Sequence, residues 1–429
     1  MIRISKPRIE EKDNTTFLLS EVYDEVRNIR KDVWFSVDTA YAKYLCHELA
    51  DSFLLALLPI AVKYSQDISV NAPVSPKLLY NIRTGVEPMY QRIFCKNGVV
   101  NIHVSKTERF RFDGTGVVTG CSLGVDSLSS IYHHLEKDMV DEFKLTHLAL
   151  FNSGQLGDYD LDASEMNFLN TVQEIKPFAE SLHLPILAIN SNLNSLYKDS
   201  GIIVLQTVAL RTIAFALSVQ KLIRYYVFGS TYPVDNIQFD TFDTEHQEGV
   251  LLPLLSTDNF HPILADPLST RVEKTAYIIK KQLVPSYLKV CWAEQTAFEV
   301  WHNTTYLEGK TKVNCGWCDK CLRTLLTIEI LNGGDLGEYK EQFDLEKYYE
   351  HRNAFIAKVF KQRKSNFFYQ EIVELILQRN YPIASSVKRH YEWELLKERF
   401  SSVIIKTTNR IAVMPMRILH KIKSKIQNK

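Results

Sequence analysis

Two stretches carry residue types whose spacing can do chemistry. In the first, the apolar pair Val117-Val118 opens into Thr119-Gly120-Cys121-Ser122-Leu123-Gly124-Val125-Asp126-Ser127, and a helical pattern follows from Leu128 to about Glu136. A strand that empties into small polar residues and then a helix is an anion site, because the helix start offers unpaired N–H groups and the positive end of its dipole. No Gly-Lys-Ser/Thr follows, so this is not a Walker loop. Ser122, Asp126 and Ser127 stand there instead. A carboxylate beside phosphates needs a divalent cation or a backbone amide to take up its charge, and Mg2+ is the expected ion. The same residues also fit a tight strand-to-helix turn in which Ser122 only caps the helix. The second stretch is Cys315-Gly316-Trp317-Cys318-Asp319-Lys320-Cys321, with Cys291 upstream. Two successive Cys-x-x-Cys steps can curl round one cation, and a fourth thiolate completes a tetrahedron. Zn2+ is the default ion, with an iron–sulfur cluster or a redox pair as alternatives. With four sulfur ligands the site is expected to be structural.

The elements that must position these residues alternate between strand and helix from Thr115 to about Ile330, as a parallel sheet with helical crossovers requires. Strands are expected at Thr146–Phe151, Ile186–Ile189 and Tyr225–Ser230, and helices at Glu165–Leu182 and Gln206–Arg224, the latter apolar except for Arg211. Ligands of open α/β sheets sit beyond the carboxyl ends of the strands. The ends here, Gly120–Ser127, Phe151–Gln155, Asn190–Asn192 and Gly229–Tyr232, are therefore expected to line one crevice. Residues 1–114 read as an α+β extension, with strands near Thr16–Leu19, Val33–Val37 and Gly98–Val104. A helix is expected through Tyr41, Tyr44, Leu45, Leu49, Phe53 and Leu57, and a second is capped by Ser75-Pro76. Residues 333–429 read as helical.

The 429 residues, 45% hydrophobic and 24% charged, describe a globular chain of two or more domains. A net charge of +1 argues against a general nucleic-acid coat. The longest apolar run, Phe53–Val62, contains Pro59 and is too short for a membrane span, and Met1–Lys6 shows no signal-peptide core. A cytoplasmic protein is expected, with cysteines serving a metal and not disulfides. The segment from Lys406 to Lys429 is basic and amphipathic, with Ile411, Met414, Ile418, Ile422 and Ile426 at near-helical spacing. It reads either as a contact for a protein, nucleic-acid or membrane partner or as a solvated chain end.

The loop Ser122–Ser127 resembles the Ser-Gly-Gly-x-Asp-Ser signature of the PP-loop ATP pyrophosphatases. Leu123 stands at the position of that signature's first glycine, where a leucine takes positive φ only at a cost and could crowd a pyrophosphate. Together with Val290-Cys291-Trp292 and Cys315–Cys321, the loop is similar to 7-cyano-7-deazaguanine synthases, the zinc-containing branch that converts a deazaguanine carboxylic acid to a nitrile with ATP and ammonia. Phe151-Asn152-Ser153-Gly154-Gln155, Arg211-Thr212, Gly229-Ser230-Thr231 and Pro267–Lys274 echo that branch in order, over about half the chain. Arg211 also fits a snorkelling helix residue, and Arg271-x-Glu273 an ordinary helix start.

The resemblance implies an adenine nucleotide alpha hydrolase-like α/β fold spanning 115–332. It implies an enzyme binding ATP and Mg2+ through Ser122, Leu123, Gly124, Val125, Asp126, Ser127, Phe151, Asn152, Gly229 and Arg271. Ser122, Asp126, Ser127 and Arg211 would carry catalysis. The expected reaction is adenylation of a small carboxylic acid, a deazapurine carboxylic acid by the resemblance, followed by attack of ammonia or an amine, with a protein or nucleic-acid amine as an alternative acceptor. Asn152, Thr212 and Arg271 depart from the branch where substrate would sit, which suggests a divergent relative. Rival readings are a nucleotide-binding regulatory or scaffold protein and a tRNA sulfur transferase; a homo-oligomer is compatible with all three.

Overall fold

The computed structural model describes residues 1–156, 161–291 and 312–397. The chain divides into two compact units, Met1–Tyr348 and Tyr349–Lys429.

The first unit is built on an 11-stranded mixed sheet. Its parallel section consists of β7 (Gly116–Gly120), β8 (His147–Phe151), β9 (Ile186–Ser191), β10 (Ile223–Gly229) and β11 (His261–Ala265). These lie in the spatial order β11-β10-β7-β8-β9. From β7 the chain moves outward through β8 to β9 and then returns to place β10 on the other side of β7. The gap between β7 and β10 is thus a topological switch point, where doubly wound sheets open a crevice. The strands are apolar on both faces, as central parallel strands must be; Val117, Val118, Leu148, Ala149, Leu187 and Val227 are all buried.

The N-terminal extension continues this sheet. Strands β4 (Ile29–Asp38), β3 (Thr15–Asp24), β1 (Ile2–Ile4), β5 (Ile68–Val74) and β6 (Ile102–Thr107) follow β9 in order, and β2 (Arg8–Lys12) pairs with β3. The junction is antiparallel, Phe35 opposite Ser191 and Ser36 opposite Asn190. Side chains stitch it: Ser191 Oγ donates to Trp34 O at 2.5 Å, and Trp34 N donates to Asn192 Oδ1 at 3.0 Å. The residues Asn190–Asn192, expected in the crevice, are therefore partly spent covering an otherwise open sheet edge.

The helix expected from Tyr41 to Leu57 is broken. Thr39–Tyr44 forms a 3-10 turn, and the helix proper runs Asp51–Lys63. Between them, Cys46 N donates to Ser218 O and Ala50 N to Pro73 O, so tertiary acceptors replace the helical ones. Asp51 is fully buried, accepting from Ser75 N at 2.8 Å and Ser75 Oγ at 2.5 Å. The apolar helix Val208–Ser218 packs against Asp51–Lys63, and its Phe215 ring meets Phe35 edge-on at 5.1 Å.

In the second unit, helix Phe367–Gln378 buries Tyr369, Ile372, Val373, Leu375 and Ile376, and Tyr369 meets Phe355 edge-on at 5.7 Å. Tyr349, at the start of that unit, is 46% exposed. The basic segment Lys406–Lys429 lies outside the described residues, as does Trp292. No helix among the described residues is long and apolar enough to cross a membrane.

Candidate functional site

The loop after β7 reaches the switch point and enters the helix Val125–His133 from Gly124, which makes no side-chain cap. Ser127 fastens the loop: its Oγ donates to Gly120 O at 2.7 Å and accepts from Ser122 N at 3.1 Å. Ser122 is exposed, and its hydroxyl accepts only a long 3.4 Å bond from Gly124 N. It does not cap the helix. Leu123 takes the glycine-like conformation, with φ +58, at a cost of about 1–2 kcal/mol. Its side chain is 4% exposed and its carbonyl accepts from Lys289 N at 2.9 Å. The leucine is thus turned into the protein and does not stand over the loop.

Gly229, at the end of β10, lets the two walls of the switch point close. A Cβ there would lie 3.2 Å from Asp126 O and 3.0 Å from Ser130 Oγ. Asp126 receives Arg271 through Oδ2 and Lys274 through Oδ1, the latter at 3.5 Å. Lys274 is 2% exposed and also donates to Ser230 O and, at 2.6 Å, to Ser230 Oγ. The charge on Asp126, which was the reason to expect Mg2+, is therefore met by two cations of the helix Arg271–Ile278. That helix starts with a capping box in which Thr270 Oγ1 accepts from Glu273 N and Glu273 Oε2 from Thr270 N, so Glu273 is a cap. Lys320 and Arg323, on the neighbouring helix Asp319–Leu331, lie within electrostatic reach of Arg271 and Asp126.

A second group of expected residues gathers at the ends of β8 and β9. Asn152 Nδ2 donates to Asn190 Oδ1 at 2.9 Å, while its Oδ1 accepts from Ser164 Oγ at 2.9 Å. Phe151 stacks on Phe215 and Tyr226, each at 5.7 Å, so its ring belongs to the core. Arg211 does not snorkel: it is fully buried, donates to Ser153 O at 3.3 Å and lies 3.8 Å over the Tyr197 ring. These side chains hold the loop after β8 in place.

The four cysteines converge. Cys291, Cys315, Cys318 and Cys321 are buried, with all four sulfurs within 4.8 Å of one another and Cys315 Sγ 3.9 Å from Cys321 Sγ. Zn–S bonds of about 2.3 Å in a tetrahedron require sulfur separations of about 3.8 Å, so one such ion fits. A cluster of several irons and sulfides would force the thiolates farther apart. Backbone N–H groups support the sulfurs, with Cys318 N donating to Cys315 Sγ at 3.3 Å and Cys321 N to Cys318 Sγ at 3.4 Å. Burial pushes the Cys321 thiol up, whereas hydrogen bonds from the other three sulfurs pull Cys291 down. Four buried sulfurs cannot all ionise without a cation, which a divalent ion bound among them would supply.

Asn314 links Cys291 to the knuckle. It is fully buried; its Oδ1 accepts from Val290 N at 2.8 Å and Cys291 N at 3.0 Å, and its Nδ2 donates to Leu288 O at 2.8 Å. Asn314→Ala is expected to weaken metal retention by about 10–100-fold, read by competition with a colorimetric chelator, while Asn314→Asp keeps only the acceptor half. Sequence reasoning missed Asn314, although it immediately precedes Cys315. It also passed over Lys320 inside the knuckle, Arg323 just beyond it, and the acidic run Asp240 to Glu248 after β10. Compared with family models, curated proteins and solved structures, the chain matches none.

Proposed function

We propose that the protein is an ATP-dependent, ligase-type enzyme that adenylates a substrate carboxylate, releases pyrophosphate, and passes the acyl group to ammonia or an amine. The observation that carries this reading is the loop Ser122–Ser127, with Ser122 exposed ahead of an uncapped helix start, set at the switch point and flanked by Arg271 and Lys274. The order β9-β8-β7-β10-β11 supports an adenine nucleotide alpha hydrolase-like fold. In the proposed reaction a carboxylate oxygen attacks the α-phosphorus and the bond to the β-phosphate oxygen breaks. The helix N-terminus, Ser122 and the cations around Asp126 stabilise the charge that gathers on the departing pyrophosphate. Mg2+ would ride on the ATP phosphates and neutralise part of that charge, since both Asp126 oxygens already have partners. The amine then attacks the acyl carbon and AMP leaves. No nucleophilic side chain is required.

Leu123 is the observation that favours a rival reading, a nucleotide-binding scaffold, because a buried leucine makes the loop stiffer than glycines would. Four buried sulfurs gathered for one ion favour a structural metal over exchangeable sulfur-transfer thiols. Calorimetric titration tests the loop itself. ATP is expected to bind, inorganic pyrophosphate to compete with it, and Ser122→Ala to weaken both by about tenfold, the value of one charge-assisted bond. Binding of adenosine as tight as that of ATP would contradict the assignment.

A further inference from the structure

Beside the phosphate loop, a second set of charges reaches the switch point from the segment after β10. A turn at Thr244–Gln247 leads directly into the helix Glu248–Leu254. Glu248 is 2% exposed. Its Oε2 accepts a 3.4 Å bond from Thr231 N, two residues beyond β10, while its Oε1 is buried with no hydrogen-bond partner. Thr231 adjoins Ser230, which receives Lys274 of the phosphate cluster. The charges acting most strongly on Glu248 are those of Glu245, Asp243 and Asp126, all negative. Burial and these neighbours hold its carboxyl well above the usual range, and burial, reinforced by Asp243, pushes Glu245 up to about 7.

A buried carboxylate oxygen without a donor is costly, which favours the neutral acid, and a ligand carrying both the donor and a positive charge would shift Glu248 to its carboxylate. A cation is favoured over an anion at Glu248 itself, where the nearest acting charges are Glu245, Asp243 and Asp126, while Lys320 and Arg271 act on Glu245. A divalent metal fits poorly: among the described residues, the cysteines are the group whose ligand atoms converge as metal ligands do. A small cation with N–H donors fits both the charge and the orphan acceptor.

We propose that Glu248, within electrostatic reach of Glu245 and Asp243, receives the protonated primary amine that attacks the activated acyl group, either ammonium or the head of a small alkylamine. This rests on the adenylation reading. The amine gives one proton to Glu248, its freed lone pair forms the bond to the acyl carbon, and the bond from that carbon to the AMP oxygen breaks. AMP leaves with the electron pair, and the second proton passes to solvent.

The test is thermal unfolding of the full chain in ammonium, methylammonium, tetramethylammonium and sodium chlorides at equal ionic strength, with a separate titration of ATP. Ammonium is expected to raise Tm by about 1–3 °C over sodium, and tetramethylammonium, which has no N–H, to behave like sodium. A matching methylammonium shift identifies an alkylamine site; its absence identifies an ammonia site. Glu248→Gln should abolish the shift and leave ATP binding unchanged. If that variant does not fold, Glu248→Asp, which keeps the charge and withdraws the oxygen, should reduce the shift. No ammonium-specific shift in the wild-type protein, or a shift that survives Glu248→Gln, overturns the proposal. Loss of both responses in a folded Glu248→Gln protein also overturns it, because the side chain would then be structural. An ammonium shift without any ATP response supports the amine site while sinking the nucleotide reading.

Discussion

Gly316→Ala is expected to give protein that neither folds stably nor retains a metal. Gly316 has φ +84, and a Cβ there would lie 2.1 Å from Asp344 O, 3.1 Å from Asp344 C and 3.3 Å from Tyr348 N. All three are backbone atoms, so no side chain can swing aside. The segment is also pinned, since Asp344 N donates to Asn314 O at 3.1 Å and Asn314 N to Gln342 O at 2.9 Å. Left-handed strain of about 1–2 kcal/mol adds to the displacement of the knuckle, which places the change among those costing more than about 4 kcal/mol. Metal affinity should fall with the fold, because the two are thermodynamically coupled. Gly333→Ala is the control: φ is +66 but nothing lies within 4 Å of its Cβ, and the cost should be about 1 kcal/mol. Denaturant unfolding and elemental analysis report both quantities. A stable Gly316→Ala protein with a full complement of zinc would contradict the geometry.

Asp126→Asn is expected to lower AMP formation by about a hundredfold, the scale of losing one preorganised charge contact. The carboxylate sits in the first turn of the helix Val125–His133, its side chain 22% exposed, between Arg271 and Lys274. Asparagine keeps the shape and one acceptor but leaves the two cations without their counter-charge. Asp126→Ala removes the acceptor as well, and a lysine that is 2% exposed then depends on Ser230. Destabilisation of about 2–3 kcal/mol is expected, below the full penalty for a broken buried pair because the site is partly hydrated. Bound ATP should return part of it, since its phosphates restore negative charge beside the cations. Steady-state turnover and thermal unfolding with and without ATP separate the two effects. Unchanged AMP formation in a folded Asp126→Asn protein would remove Asp126 from the site.

The strand, turn and helix around Ser122–Ser127 are legible in the sequence because local chemistry dictates them: an apolar strand, small residues and a helix start follow one another directly. The cysteine cluster is legible for a similar reason, since the spacing of Cys315, Cys318 and Cys321 forces a knuckle and Cys291 has few other uses. What stays hidden is set by tertiary partners. The short β11, with Pro262 as its second residue, does not read as a strand; the proline is tolerated because this is the sheet's last strand and pairs on one side only. The junction of β4 with β9 depends on Ser191 and Asn192 bonding the backbone near Trp34, and these residues look like any loop polar pair. Asn314 looks equally ordinary until its amide is seen joining two chain segments. The run Asp240 to Glu248 carries no recognisable motif, and only folding brings Glu248 beneath the surface beside Thr231.

The central claim concerns which bond of ATP breaks. The measurement is 31P NMR of ATP incubated with the protein, Mg2+, ammonium chloride and a panel of carboxylic acids that includes a deazapurine carboxylic acid. If the loop grips the β- and γ-phosphates together, as proposed, substrate-dependent turnover is expected to yield AMP and pyrophosphate in equal amounts. ADP with orthophosphate would contradict the account.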